Sequence, residues 1–170
     1  TPKTSSAASD VYKRQLKSTD NKIISLNDVK GENGTLIMFI CNHCPYVKAV
    51  TKDIVEDSKK LNDYGINTVA ICANDAENYP EDSFENMILF AKKHQFSFPY
   101  LVDETQEIAK TYDAVCTPDF FGYNKNLELQ YRGRLRELKN LVPVREGESD
   151  LFKAMKQIAE TGKGPESQTP

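Results

Sequence analysis

The chain has no tryptophan, only two histidines and only four cysteines among its 170 residues. Cys41, Cys44, Cys72 and Cys116 are too few and too scattered to act as a disulfide framework at this length. No second Cys-X-X-Cys and no His-X-X-X-His accompanies the pair at 41 and 44, so the spacing of a four-ligand zinc module is missing. No apolar run nears the roughly 18 residues of a membrane span, which argues against a membrane partner. The formal charge is −3 with no basic block, which argues against nucleic acid. No apolar segment follows a basic start, so no signal peptide is evident and a cytoplasmic setting is the expectation. No internal repeat is visible.

Hydrophobic residues make up 39% of the chain and charged residues 28%, which suits one globular domain. Residues 1–15 are expected to be a disordered or non-native arm, because SSAASDVYKRQ at 5–15 resembles translated sequencing-adapter sequence. The domain is expected over 16–162, with a tail at 163–170.

The most informative stretch is LIMFICNHCPYVK at 36–48. Five unbroken apolar residues read as a strand buried on both faces. Cys41-Asn42-His43-Cys44 follows, and Pro45 opens a segment that reads as a helix. Val47, Val50, Ile54 and Leu61 recur at helical spacing to Tyr64, and Gly65 is suited to end the helix. TVAICA at 68–73 is a second buried strand, giving a right-handed βαβ unit. Asp82 with Glu85 fits a helix-start capping pattern, followed by a helix at 83–94 carrying Phe84, Met87, Ile88 and Ala91. A strand at 98–102, a short helix around 105–112 and a hairpin turning at Asn124-Lys125-Asn126 come next. The charged segment 134–147 reads as loop. Ser149 is suited to cap a last helix that ends near Gly162. This order predicts an α/β fold with a mixed central sheet and helices on both faces.

A thiolate, not a thiol, attacks a disulfide or a peroxide. A helix N-terminus offers unpaired N–H groups and about half a positive charge, both favourable to a thiolate. Cys41 is therefore expected to be the nucleophile, outside the first turn and open to substrate. Cys44, inside the helix and facing the core, is expected to resolve the mixed disulfide. His43 supports the thiolate, which predicts a couple more oxidising than thioredoxin's, near about −200 mV. Zinc held by the four cysteines or a histidine is the competing reading, but Cys72 lies mid-strand and reads as a buried small residue. Cys116 is expected to pack in the core, and His94 to be an exposed cation at a helix end.

FICNHCPYVK, ICANDAENYPEDSFENM, FPYLVDETQEIAKTY and VCTPDFFGYN together resemble the peroxiredoxin-like CxxC branch of the thioredoxin superfamily, the AhpC/TSA–redoxin family. The resemblance spans about residues 25–133 and the last helix. It implies a thioredoxin-like fold with Pro118 as a cis-proline facing the Cys pair, and Thr117 as the residue whose backbone meets a bound substrate. It implies a thiol–disulfide oxidoreductase with no cofactor and no metal. Its partners would be protein or small-molecule disulfides or dithiols, together with a cellular thiol reductant. A thiol peroxidase with Cys44 as the peroxidatic residue is the alternative, and a non-enzymatic binding or metal-binding module is a third reading. Aligned on Cys44, the family's peroxide-site Pro and Thr positions hold Ile37 and Cys41. Thr117-Pro118-Asp119 fills the segment where its Arg lies, which disfavours peroxidase chemistry. The buried Asp of thioredoxin aligns with Thr35, leaving water or His43 to move protons.

Overall fold

The computed structural model describes residues 12–114 and 116–170. Strands β1 (Gln15–Ser18) and β2 (Ile23–Ser25) form an antiparallel pair at one edge of the sheet. The apolar run becomes β3 (Gly34–Phe39), buried at every position. It is followed by α1 (Pro45–Asn62), β4 (Ile66–Cys72), α2 (Phe84–Lys93), β5 (Tyr100–Val102) and the short α3 (Glu107–Tyr112). The hairpin β6 (Asp119–Asn124) and β7 (Leu129–Gly133), a two-stranded ribbon β8 (Leu138–Lys139) and β9 (Val142–Pro143), and α4 (Asp150–Thr161) complete the chain.

Seven strands make one sheet in the order β2-β1-β5-β4-β3-β6-β7. β3, β4 and β5 run parallel, and the remaining pairings are antiparallel. Alternating side chains of β3 face opposite sides. Leu36 and Met38 pack with Val47, Ile54 and Leu61 of α1, Met87 and Phe90 of α2, and Leu151, Met155 and Ile158 of α4. Ile37 and Phe39 pack with Ile108 and Tyr112 of α3, with Leu26, and with Tyr12. The mixed sheet with helices on both faces is thus present.

The helix ends follow local chemistry. Gly65 (φ 74°) lies just past α1, and Gly162 (φ 74°) caps α4; both adopt the left-handed conformation that glycine enters without strain. Ser149 accepts from the Phe152 N–H at the start of α4 and donates to Asp57 of α1 at 2.6 Å. At α2 the cap is Ser83, which accepts from the Asn86 N–H, and not Asp82 as the sequence pattern suggested.

Three segments differ from expectation. Tyr12 is buried, Arg14 pairs with Glu107, and Gln15 begins β1, so the folded unit takes in residues assigned to the arm. The rest of that arm, 1–11, lies outside the described residues. The segment 134–147 contains the β8–β9 ribbon rather than only loop. Asn140 and Leu141 both take positive φ at its turn; Asn is favoured there, but leucine stands where glycine is usual, so the turn signal is incomplete. Arg136 and Arg134 hold this charged segment to Asp53 of α1 and Asp150 of α4. Finally, residues 164–169 run back along β7. The Arg132 N–H donates to Gln168 Oε1, the Arg134 N–H donates to the Thr169 carbonyl, and Gln168 Nε2 donates to the Gln130 carbonyl. The tail thereby covers an edge strand that would otherwise expose unpaired backbone.

Candidate redox site

β3 sets the site through its register. Phe39 sits opposite Ile71 of β4 on one side and Asp119 of β6 on the other. The residues just beyond Phe39 therefore leave the sheet between Cys72 and the Thr117-Pro118 bend. The Ile40 N–H still donates to the Ile71 carbonyl, and the chain then turns through Cys41-Asn42-His43 to the helix.

Helix α1 starts at Pro45, whose missing N–H costs nothing at a first helical position and whose fixed φ suits it. Cys44 is therefore the N-cap residue, and Val47, not Cys44, is the buried residue of the first turn. Cys44 is partly exposed, whereas Cys41 is 1% exposed. The accessibilities are the reverse of those expected: the helix starts at Pro45 as read from the sequence, but Cys44 stands just outside it as the cap and does not face the core.

Both sulfurs meet at Thr117. Cys41 Sγ lies 3.3 Å from Thr117 Oγ1, and Cys44 Sγ points at the Thr117 carbonyl at 3.5 Å. The Thr117–Pro118 peptide is cis, as the family resemblance implied. Burial pushes the Cys41 thiol pKa up from its ordinary value. Hydrogen bonds from Thr117 and from the Cys44 N–H oppose the shift, while the Asp82 charge adds to it. The acidified Cys41 thiol inferred from the sequence is thus not what this site contains. Cys72 is buried close by, and burial pushes its thiol up to about 12, which fits a packing role.

The loop after β4 supplies a carboxylate that the sequence reading assigned to a helix cap. The Asp82 side chain is fully buried. Its Oδ1 accepts from the Asn42 N–H at 2.7 Å, and its Oδ2 accepts from Asn74 Nδ2 at 2.7 Å. His43 Nδ1 lies 2.6 Å from the same Oδ2 but makes no well-formed hydrogen bond to it. Asn42 is itself fixed at both ends of its amide. Nδ2 donates to the Glu81 carbonyl and Oδ1 accepts from the buried Tyr100 hydroxyl. The His43 ring stacks on Tyr79 at 5.2 Å between centroids. The signal for Asp82 was two adjacent capping residues, Asp82 and Ser83, before one helix; only one could serve as the cap.

A cleft of about 490 Å³ opens over the site, walled by Cys41, Cys44, His43, Tyr79, Thr117 and Lys110 among others. Cys116 also borders it and is exposed, not packed in the core, because it precedes β6 at the surface. His94 caps the C-terminal end of α2 against Phe90. Burial and the Lys93 charge lower its pKa, so it is not the free cation expected. Among the described residues, one cluster has donors suited to a metal ion: Cys41, His43 and Asp82.

Residues 8–137 match the AhpC/TSA family. The chain belongs to the AhpC/TSA family. The match begins within the segment set aside as an arm. No curated protein matches the chain. Among solved structures, an uncharacterized conserved protein from Geobacillus kaustophilus is 43% identical, with a TM-score of 0.86 over 92% of this chain and 83% of that one. A secreted Mycobacterium tuberculosis disulfide oxidoreductase homologous to E. coli DsbE is 13% identical, with a TM-score of 0.62 over 76% of this chain and 90% of that one. The Xanthomonas campestris bacterioferritin comigratory protein, described by its alkyl peroxide reduction activity, is 12% identical, with a TM-score of 0.66 over 91% of this chain and 94% of that one. The last two likenesses bear on the fold, which is thioredoxin-like. Family and neighbours are redox proteins, of both the disulfide-exchanging and the peroxide-reducing kinds.

Proposed function

We propose that the protein is a thiol–disulfide oxidoreductase in which Cys44 attacks and Cys41 resolves. The observation that carries this reading is the convergence of both sulfurs on Thr117, at 3.3 and 3.5 Å, with Cys44 alone partly exposed. The roles are exchanged relative to the sequence expectation, since only the N-cap thiol is open to a bulky disulfide. In the first step the Cys44 thiolate attacks one sulfur of a protein or small-molecule disulfide. A mixed disulfide forms, and the other substrate sulfur leaves as a thiolate and takes a proton. The charge on Cys44 faces the N-terminal amides of α1. In the second step Cys41 loses its proton and attacks Cys44 Sγ, closing the Cys41–Cys44 disulfide and releasing the second substrate thiolate. His43 and Asp82 stand beside Cys41 to receive that proton, a task the sequence left to water or to His43 alone. A cellular dithiol reductant returns the pair to its starting state. Thr117 lines the cleft over the Cys pair and, with Pro118, a second cleft that Tyr46 and Cys116 also border, and a substrate backbone would lie along Thr117.

The exposed N-cap position of Cys44 also suits a second reading, reduction of a peroxide through a Cys44 sulfenic acid that Cys41 resolves. Insulin-disulfide reduction and peroxide consumption, measured on the wild type and on Cys41→Ser and Cys44→Ser, separate the two. The leading reading expects insulin reduction at a rate well above background, abolished by Cys44→Ser. It also expects Cys41→Ser to trap substrates as mixed disulfides through Cys44. Trapping by Cys44→Ser instead would reverse the roles. Fast peroxide consumption without insulin reduction would select the peroxidase.

A further inference from the structure

We propose that the reduced protein binds one zinc-class divalent cation between Cys41 Sγ, a ring nitrogen of His43 and the Asp82 carboxylate, and that closing the Cys41–Cys44 disulfide releases it. One donor atom from each residue lies within 4.8 Å of the other two. Ligands of a tetrahedral zinc ion, at about 2.0–2.3 Å from the metal, stand roughly 3.3–3.6 Å apart. To reach that spacing His43 Nδ1 and Asp82 Oδ2, 2.6 Å apart, must part by up to about 1 Å, and donors as far as 4.8 Å apart must close by roughly 1.2–1.5 Å.

Three observations favour a cation over a purely polar cluster. First, His43 Nδ1 is buried and makes no well-formed hydrogen bond, although a carboxylate oxygen is in contact with it. A shared cation supplies the partner that His43 Nδ1 lacks, while Asp82 Oδ2 keeps its bond from Asn74. Second, the Asp82 side chain is wholly buried, yet among the described residues no lysine or arginine pairs with it. Buried carboxylates are hydrogen-bonded and paired with a cation or bound to a metal, and among the described residues His43 is the one basic side chain touching Asp82. Third, the carboxylate is already aimed. The Asn42 N–H and Asn74 Nδ2 hold it from behind, as outer partners orient metal ligands. A thiolate, an imidazole and one carboxylate suit zinc rather than the hard cations magnesium and calcium, which take oxygen shells. Three protein ligands leave a fourth coordination position for water or another donor.

Release follows from using Cys41 twice, a coupling that rests on the redox reading above. With a disulfide R–S–S–R as oxidant, zinc-bound Cys41 thiolate, the Cys44 thiol, R–S–S–R and one proton give the Cys41–Cys44 disulfide, two R–SH and free zinc ion. Two electrons pass from the protein sulfurs to the substrate sulfurs, and the zinc loses its only sulfur ligand.

The test uses zinc ion alone with the full-length chain, by equilibrium dialysis with metal analysis, and cobalt ion as a spectroscopic stand-in. Reduced wild type is expected to hold one zinc per chain, and the oxidised protein none. His43→Ala and Asp82→Asn are expected to weaken binding by at least about tenfold. Cys41→Ser is expected to abolish the sulfur-to-cobalt absorption band. Cys44→Ser, which cannot form the disulfide, is expected to bind zinc as the wild type does, whether or not the protein turns over disulfides. Sub-stoichiometric zinc on the reduced protein would overturn the proposal, as would undiminished binding in both His43→Ala and Asp82→Asn. Should Asp82→Asn fail to fold, the half-exposed His43 variant and the cobalt band still decide.

Discussion

Replacing Asp82 with alanine tests whether this carboxylate straps the Cys loop down rather than capping α2. Two donors, the Asn42 N–H and Asn74 Nδ2, each lie 2.7 Å from a carboxylate oxygen and lose their partner. Hydrogen bonds to a charged group contribute about 1.5–3 kcal/mol each. Against the resulting 3–6 kcal/mol, roughly, stands the relief of a buried charge, which recovers part of the loss. A net destabilisation of about 2–4 kcal/mol is expected, a large share of the roughly 5–15 kcal/mol that holds a domain together. With a urea dependence of about 2 kcal/mol/M, the unfolding midpoint of the reduced protein should fall by about 1–2 M. Ser83→Ala is the control. It removes the actual cap of α2, should cost only about 1 kcal/mol, and leaves the Cys loop anchored. Equal and small losses in the two variants would refute the reasoning, since Asp82 would then be no more than a dispensable neighbour of the helix start.

Asn42→Ala should cost about 1–3 kcal/mol in the same assay, because it leaves the buried Tyr100 hydroxyl without its acceptor. Gly31→Ala should be more damaging than a typical surface change, at about 3 kcal/mol or more. Its Cβ would press on backbone at Gly34, Gly65 (2.8 Å) and Asn67 (2.7 Å), none of which is a flexible side-chain end. Burial raises the Asp57 carboxyl above its unfolded value, so the folded chain holds that proton to higher pH than the unfolded chain does. Stability should therefore decline as pH rises above the ordinary carboxylate range, until the folded group too has ionised. Asp57→Asn, which keeps an acceptor for Ser149, should flatten that part of the urea-midpoint profile; an unchanged slope would argue against the shift. In the native reduced protein, iodoacetamide at pH 8 should modify exposed Cys116 quickly and leave Cys72 unlabelled until unfolding, read by peptide mass mapping.

Elements built on unbroken apolar runs were legible from the sequence: β3, β4 and the two longest helices were found to within a few residues, because burial on both faces or along one stripe writes itself into composition. The cis Thr117–Pro118 bend and its position opposite the Cys pair came from family motifs, not from any local signal. Two parts of the site were misread for one physical reason, that helix starts are decided by small competitions. At α1 the start at Pro45 was legible, but the residue before it is the cap, so Cys44 lies outside the helix and the exposure of the two thiols is reversed. Ser83 won the cap of α2 from Asp82, freeing the carboxylate to reach back across 40 positions to Asn42. Neither outcome is written in spacing alone, since neighbouring residues could each have filled the role. The β8–β9 ribbon was hidden because Leu141, not glycine, follows Asn140 in its left-handed corner and the two strands are only two residues each.

The ladder between β3 and β6 has one further consequence. Because Phe39 is matched to Asp119, the distance between the Cys pair and Thr117 is set by strand pairing and not by the chain that separates them. The excursion from residue 73 to residue 113 touches the Cys loop only through particular contacts, Asp82 and Tyr100 on Asn42; away from these and from β5, its loops and helices can lengthen or shorten without moving Thr117 off Cys41 and Cys44. A single-residue slip in the ladder, by contrast, would swing Thr117 to the opposite side of the sheet. Insertions should therefore be tolerated in the excursion away from Asp82 and β5, and lethal to the site within β6.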